Sequence, residues 1–524
     1  VLRAPLPLLA LAVSAVVAAS TAQASTPDKL LGGQAGSFSA YHALRVTALP
    51  KAVPSNRRTS YTGPKLVLAQ SYVGRKAAEP TLGVDKLGHV FTAASAFDAI
   101  PGNPPKNEPR TLVLASFDGG RTFRDNSPNL AGIKTQNVST DPYIYVEPTT
   151  GRVFDLDLQG LNGAHMSFSD DGGKTWTESA LGTAGANDHQ TLVAGPFVEG
   201  GITAPVVDPK FKKVLYYCTN AVGYGSCARS FDGGRTFTQA GQTGYEAVNP
   251  GYLVGLDADH NEGICGSLHG HAVTDQQGLL FIPRGYCQIP MIAVSTDEAT
   301  TFTDVKVADI RMNGQQASVV ADKLGNLYYV FQDAEHNQPY LVISRDHGSH
   351  WGTPMMIAPP GVVETNFPTI DVGDPGKIAI TFPGSTSTLG HKDLTRPWNS
   401  YVVMSTNALT ANPLFLSNTA NPSNDPVARG DCKNRCGRMY DFLDLVSAPA
   451  DQGRVFATAV DTCTAYLSCN SKRLPGNNDS GDIVQEETAH DYGTSADMQG
   501  VIIREVTGPA LRGTKPTITA DSRR

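Results

Sequence analysis

Seven short segments of the 524-residue chain open on a polar residue and then run into an apolar stretch. They begin at Glu79, Asp141, His189, His269, Gln316, Asn366 and Tyr440, with Asp188, His271, Arg438 and Asp441 close beside three of them. Carboxylates, imidazoles and a phenol are the groups that acid–base chemistry on a polar substrate requires. His269 and His271 are two residues apart, which puts both side chains on one face of a strand. There they could bind a metal or move a proton. A hydrogen-bonded histidine is the simpler reading, so no metal and no other cofactor is expected. Arg284 and Arg438 add guanidinium groups, whose planar fork matches a carboxylate. No G-x-S-x-G elbow occurs, so a serine triad is not expected.

These residues need elements to hold them, and a repeat supplies the elements. The run Ser116-Phe117-Asp118-Gly119-Gly120-Arg121-Thr122-Phe123 recurs as Ser169-Asp170-Asp171-Gly172-Gly173-Lys174-Thr175-Trp176. It recurs again from Ser230 through Asp232 to Phe237. Two eroded copies follow, around Asp297 and Asp346, and a remnant stands at Ser405-Thr406-Asn407. Successive copies start 49 to 65 residues apart. The Ser and Asp side chains can bond nearby backbone N–H groups, and Gly supplies the positive φ of a tight turn. Each copy therefore reads as a hairpin turn between strands, its Asp a turn former and not an acid. A polar-opening segment precedes each such turn, and a last, looser one begins at Tyr440, giving seven units long enough for four strands apiece.

The S-x-D-x-G-x-T-F/W run is the Asp-box, and the chain resembles the sialidase-like (BNR-repeat) β-propellers over roughly residues 75–505. The resemblance implies an all-β propeller of four-stranded blades. Seven blades is the expected count, or six if the first or last unit only closes the ring. It also implies that the Asp-box joins a blade's outer strands on the face away from the active site, and that the first strand of each blade lines a central channel. The seven polar openings would then converge at one mouth. In that family three arginines clamp the substrate, an Asp is the acid/base, and a Tyr activated by a Glu is the nucleophile. By that pattern Tyr440 would be the nucleophile, Asp141 or Glu79 the acid/base, and Arg438 and Arg284 the anion clamps. His189, His269, His271, Gln316, Asn366 and Asp441 would touch substrate. The family's Arg-Ile-Pro motif is displaced here, the matching place reading Arg75-Lys76-Ala77-Ala78-Glu79-Pro80.

Composition agrees with many short strands. There are 52 Gly and 35 Pro, and only 17% of residues are charged. A net charge of −7 leaves no basic footprint for nucleic acid. Arg3, the largely apolar stretch Leu6–Ala19 and Ala22-Gln23-Ala24 have the three parts of a secretory signal over residues 1–24. The apolar stretch is shorter than the ~20 residues that span a bilayer, so no membrane anchor is expected. All eight Cys lie downstream, as Cys218/Cys227, Cys265/Cys287, Cys432/Cys436 and Cys463/Cys469. An even number suits disulfides outside the cytoplasm, with neighbour pairing the simplest of many connectivities. Residues 25–70 form an N-terminal extension that can add a closing strand, residues 71–510 the propeller, and residues 511–524 a polar tail. The expectation is a secreted monomer acting on extracellular glycans. The alternative is a non-catalytic propeller that binds a polysaccharide or protein through a rim formed by Tyr143, Tyr145, Tyr224, Tyr245 and Tyr252.

Overall fold

The computed structural model describes residues 38–46, 57–58, 61–74, 77–96, 110–128, 141–158, 163–181, 187–201, 208–221, 224–240, 255–256, 264–265, 269–313, 317–390, 393, 396–422, 425–429, 444–449, 451–461 and 499–513. Apart from one 3-10 turn at Asp451–Gly453, the regular structure of these described residues is all strand. Seven antiparallel sheets of four or more strands follow one another along the chain. In the first blade the strands are Ala77–Val84, Val90–Ala96, Arg110–Ser116 and Arg124–Asp125, each paired to the next. The innermost strands of the other six are Tyr143–Val146, Asn187–Gly195, Val273–Thr274, Ser318–Ala321, Thr369–Val372 and Leu445–Ser447. Each innermost strand packs on the next, and Leu445–Ser447 packs back on Ala77–Val84, so the ring closes on seven blades.

Side chains tie these strands together across the blade boundaries. Thr81 Oγ1 accepts the Ile144 N–H at 2.9 Å, and Thr191 Oγ1 accepts that of Ala272 at 2.9 Å. Ser318 Oγ takes the Ile370 N–H, Asp371 Oδ2 that of Ser447, and Asp444 Oδ2 that of Leu82. Between the second and third blades the Tyr143 hydroxyl donates to the Leu192 carbonyl. Between the fourth and fifth, the backbones approach so closely that a Cβ on Gly270 would lie 1.8 Å from the Ala317 oxygen. Inner strands are mutually unpaired in a propeller, so these bonds satisfy backbone groups that would otherwise face the channel.

The outermost strand of the seventh blade comes from the other end of the chain. Val67–Tyr72 pairs antiparallel with Gln499–Thr507. Upstream, Ser39–His42 adds to the outer edge of the sixth blade and Leu44–Arg45 to that of the fifth. Tyr41 is fully buried there, stacked on Phe415 and donating to the Ile357 carbonyl at 2.7 Å. The extension therefore covers three sheet edges that would otherwise present free backbone groups. In the third blade Cys218 and Cys227 form a cross-strand disulfide. Cys287 is also disulfide-bonded. The side chain of Cys265, and all of Cys432, Cys436, Cys463 and Cys469, lie outside the described residues.

The S-x-D-x-G-x-T turns join the third and fourth strands of their blades. In the first, Ser116 Oγ donates to Asp118 Oδ1 and accepts the Gly120 N–H, while Thr122 gives its N–H to Oδ1 and its hydroxyl to Oδ2. The same bonds recur around Asp171 and Asp232. They survive around the eroded Asp297, where Ala299 takes the glycine's place at φ +61°. Around Asp346 the ring of His350 replaces the threonine hydroxyl. Burial opposes ionisation of Asp118, Asp171, Asp232 and Asp346, but the Ser, Thr or His bonds outweigh it and hold each carboxyl below its usual range. Their stabilisation is thus present above the unfolded carboxyl range and fades as pH falls. Asp232→Ala removes four such bonds, and we expect it to cost about 1–3 kcal/mol in denaturant unfolding. Turnover should be unchanged, because the turn lies on the face opposite the polar openings.

Candidate functional site

Strand direction settles which residues share a face. Where a blade has an S-x-D-x-G-x-T turn, that turn and the one between its first two strands lie at one end, so the innermost strands begin at the other. That second face carries Glu79, Asp141, His189, His269 and Asn366. Gln316, Arg438, Tyr440 and Asp441 lie outside the described residues. Glu79, His189, His269 and Asn366 are all buried, unusual for residues that open strands at a rim, and so is Arg284 within Leu280–Tyr286.

The backbone at this face is strained at matching places. Glu79 has φ +49°, His189 φ +53°, and Phe367, next to Asn366, φ +43°. At the first two the pairing register slips, a bulge falling between Ala78 and Thr81 and between Asp188 and Thr191. A bulge re-aims the extra residue out of the sheet. Left-handed φ at non-glycine residues concentrates where structure serves function.

The polar residues form three groups around the mouth. The first spans blades two to four. The His189 and His269 rings meet edge to face with centroids 5.7 Å apart, and His271 meets Tyr143 in the same way at 4.7 Å. The His269 Nδ1 donates to the Gly270 carbonyl at 2.9 Å, and Arg284 lies within electrostatic reach. Burial lowers the His269 pKa to about 4, the Gly270 bond opposes it, and Arg284 adds to the lowering. His271 is likewise lowered to about 4, by burial and then by His269. Both rings are neutral at pH 7. Unfolding returns each to about 6.5, so their contribution is complete above that pH and is lost as pH falls toward 4. The midpoint of urea unfolding should therefore drop between pH 6.5 and 4, and drop less in His271→Gln. An equal drop in both proteins would remove His271 from this account.

The second group lies on the second strand of blade two. Asp155 and Asp157 alternate with leucines on Val153–Leu158, so both project from one face of a fully buried strand. Burial, and after it the neighbouring charge of Asp157, raises the Asp155 pKa well above the carboxylate range. No hydrogen-bond partner reaches Asp155 Oδ1 among the described residues. Val153, on the same strand face, packs in the core shared with Phe91 and Val113 of blade one, which places the pair at the seam with the blade that carries Glu79.

The third group sits on blades five and six. Arg396 and Glu364, each 4% exposed, form an ion pair that Asn337 joins by donating to Glu364 Oε1. At the neighbouring inner strands, Asp371 accepts the Ser447 N–H and Asp444 that of Leu82. Burial raises Asp444 to about 7 against the opposing Leu82 and Leu445 N–H bonds, with Asp371 raising it further.

The structure brings His189, His269, His271 and Arg284 within ring contact or electrostatic reach of one another. Glu79 and Asn366 stand two blades away on either side. Asp141 is half-buried, and its carbonyl accepts the Gln190 side-chain amide at 2.7 Å. The tyrosine rim needs correcting. Tyr143 is buried, Tyr145 packs against Phe154, and their hydroxyls bond to the Leu192 carbonyl and the Ala194 N–H, so neither offers an exposed ring. Tyr245 and Tyr252 and the side chain of Tyr224 are outside the described residues. Asp155, Asp157 and Arg396 are the residues that sequence reasoning missed. The Asp-Leu-Asp-Leu alternation inside an apolar strand was the available signal for the first two.

Among the described residues no group of three or more His, Cys, Asp and Glu is placed to hold a metal, and no helix is long and apolar enough to cross a membrane. No protein-family model matches the chain, and no curated protein does. Solved structures similar to it include a sialidase from Streptococcus pneumoniae, at 12% identity over 83% of this chain and 69% of that one, TM-score 0.39. An α-L-arabinofuranosidase from Fusarium graminearum is similar at 12% identity over 66% and 93%, TM-score 0.37. A GH74 enzyme from Niastella koreensis is similar at 14% identity over 85% and 61%, TM-score 0.44. At such identities and scores, function has to be sought in the residues of this chain.

Proposed function

We propose that the protein is an exported glycoside hydrolase whose pocket lies at the channel mouth opposite the S-x-D-x-G-x-T turns. The observation that carries this reading is the buried Asp155–Asp157 pair at the seam with the blade of Glu79. Glycosidic bond hydrolysis needs one carboxyl that keeps its proton to protonate the leaving oxygen, and one ionised group opposite it. Two neighbouring carboxylates in a dry site cannot both ionise, so the pair retains a proton near neutrality. Asp157, at 7% exposed against 2% for Asp155, is the member that can pass this proton to a substrate. Glu79, turned out of its strand by the bulge, serves as the opposing carboxylate. The sialidase resemblance offers Tyr440 as nucleophile with Asp141 as acid/base instead, and Arg284 and Arg438 as clamps for an acidic sugar.

The test is a panel of fluorogenic glycosides, sialosides and arabinofuranosides included, offered to the protein beginning at Ser25. Asp157→Asn, Glu79→Gln and Tyr440→Phe run beside it. Turnover lost in the first two and kept in the third assigns the chemistry to the carboxylates. Turnover lost only in Tyr440→Phe assigns it to the tyrosine. A folded, oxidised protein that cleaves no member of the panel overturns the hydrolase reading.

A further inference from the structure

His269 is a tightly constrained polar side chain at the mouth. It is 1% exposed, and its Nδ1 faces the carbonyl of the next residue at 2.9 Å. A carbonyl oxygen only accepts, so Nδ1 carries the hydrogen and Nε2 is left with a lone pair. The Gly270 peptide that receives this bond is itself fixed. Its N–H donates to the Pro283 carbonyl at 2.9 Å, and its Cα lies so close to the Ala317 carbonyl that no side chain fits. The His189 ring, set at right angles, closes one side of the imidazole. Among the described residues Nε2 has no hydrogen-bond partner. Burial and the nearby Arg284 charge both work against a proton there, so the ring does not resolve the orphan by ionising.

A buried acceptor without a donor is costly to leave unmade, and native proteins keep very few. Here it is held in one orientation by a locked peptide, in the strained region where the strand openings converge. We propose that His269 Nε2 is the hydroxyl-reading atom of the pocket, accepting a hydrogen bond from a sugar hydroxyl. The inference rests on the glycan reading above and sharpens it, because it makes a hydroxyl donor, and not an anionic group alone, the feature recognised at this blade. A site built around such an acceptor discriminates strongly against an analogue lacking the hydroxyl.

The state of the ring is measured first, by nitrogen NMR on protein labelled at histidine, with the His269 signals assigned by their loss in His269→Phe. The expected spectrum has hydrogen on Nδ1 and none on Nε2, and keeps that pattern down to pH 5. Hydrogen on Nε2, or protonation near pH 6.5, overturns the proposal without reference to any ligand. D-galactose, L-arabinose, D-glucose and N-acetylneuraminic acid are then titrated into the same sample. One of them should move the Nε2 resonance, and its Kd should rise about tenfold or more in His269→Phe. His269→Gln, which returns an amide oxygen to the vicinity, should recover part of that loss. A folded His269→Phe that binds the sugar normally overturns the proposal. If no sugar moves the resonance while a glycoside is still cleaved, this assignment fails and the hydrolase reading stands. If nothing binds and nothing is cleaved, both fail.

Discussion

Asp157→Asn should lower kcat on a cleaved glycoside by about 10²–10⁴-fold, the usual worth of a positioned acid or base. Thermal stability should not fall with it. The reason is the cost of keeping two carboxyls in one buried place. Burial and mutual repulsion raise Asp155, so the folded state holds a proton that the unfolded chain releases at neutral pH. A folded-state pKa above the unfolded one gives stability that is full at low pH and lost as pH rises through it. Removing one charge relieves this penalty, so Asp157→Asn should match or exceed the parent in Tm at pH 7, and the difference should shrink toward pH 4. A catalytic group is recognised by this divergence: function falls while stability holds or rises. If Asp157→Asn keeps full turnover and unfolds more easily, the pair is structural. Glu79→Gln should reduce kcat comparably, and a KM effect alone would make Glu79 a binding residue instead.

A protein beginning at Val73 should lose its cooperative unfolding transition. Such a chain lacks Val67–Tyr72, and with it the pairing along Val501–Thr507. It also loses Leu66, Leu68 and Ala69, all fully buried, and the Tyr72 hydroxyl bond to Asp461 at 2.6 Å. Truncating one buried Leu typically costs about 2–5 kcal/mol, and the whole strand on the order of 10 kcal/mol, comparable with the entire stability of a domain. The damage is not confined to one blade. The seventh blade closes the ring onto the first through the Asp444 bond to the Leu82 N–H and the Thr458 bond to the Pro80 carbonyl. Scanning calorimetry should show a broadened, lowered endotherm. A synthetic peptide covering residues 62–74 should restore part of the sharp transition, because its donors and acceptors match a vacant edge. An unchanged transition in the shortened protein would mean that the strand contributes no closure.

Much of the architecture was legible in the chain because its signals are local. Ser116, Asp118, Gly120 and Thr122 lie within seven residues, and their bonds need only the turn itself. Even the substitutions Ala299 and His350 leave the turn standing, since the bonds of Ser295 and Asp346 to the backbone survive. Counting such units, and the polar openings between them, therefore counts blades. The side of the ring on which those openings lie follows from strand alternation alone, without knowing how blades pack.

The site itself was only partly legible, because its properties arise between blades. Which openings meet depends on ring order and on the bulges at Glu79 and His189, where one extra residue reverses the direction a side chain takes. Asp155 and Asp157 became visible as a pair only once their strand was buried on both faces, since desolvation and not sequence spacing perturbs them. Arg396 and Glu364 are 32 residues apart in the chain, yet they form one buried ion pair. The tyrosines that read as an exposed rim turned inward because an aromatic ring on an inner strand gains more from the seam between blades than from water. The sequence by itself determined the repeat, its turns and the polar character of one face. Only the tertiary structure decided which of those polar groups lost their water and which neighbours they met, because burial and electrostatic coupling depend on distances that no local segment specifies.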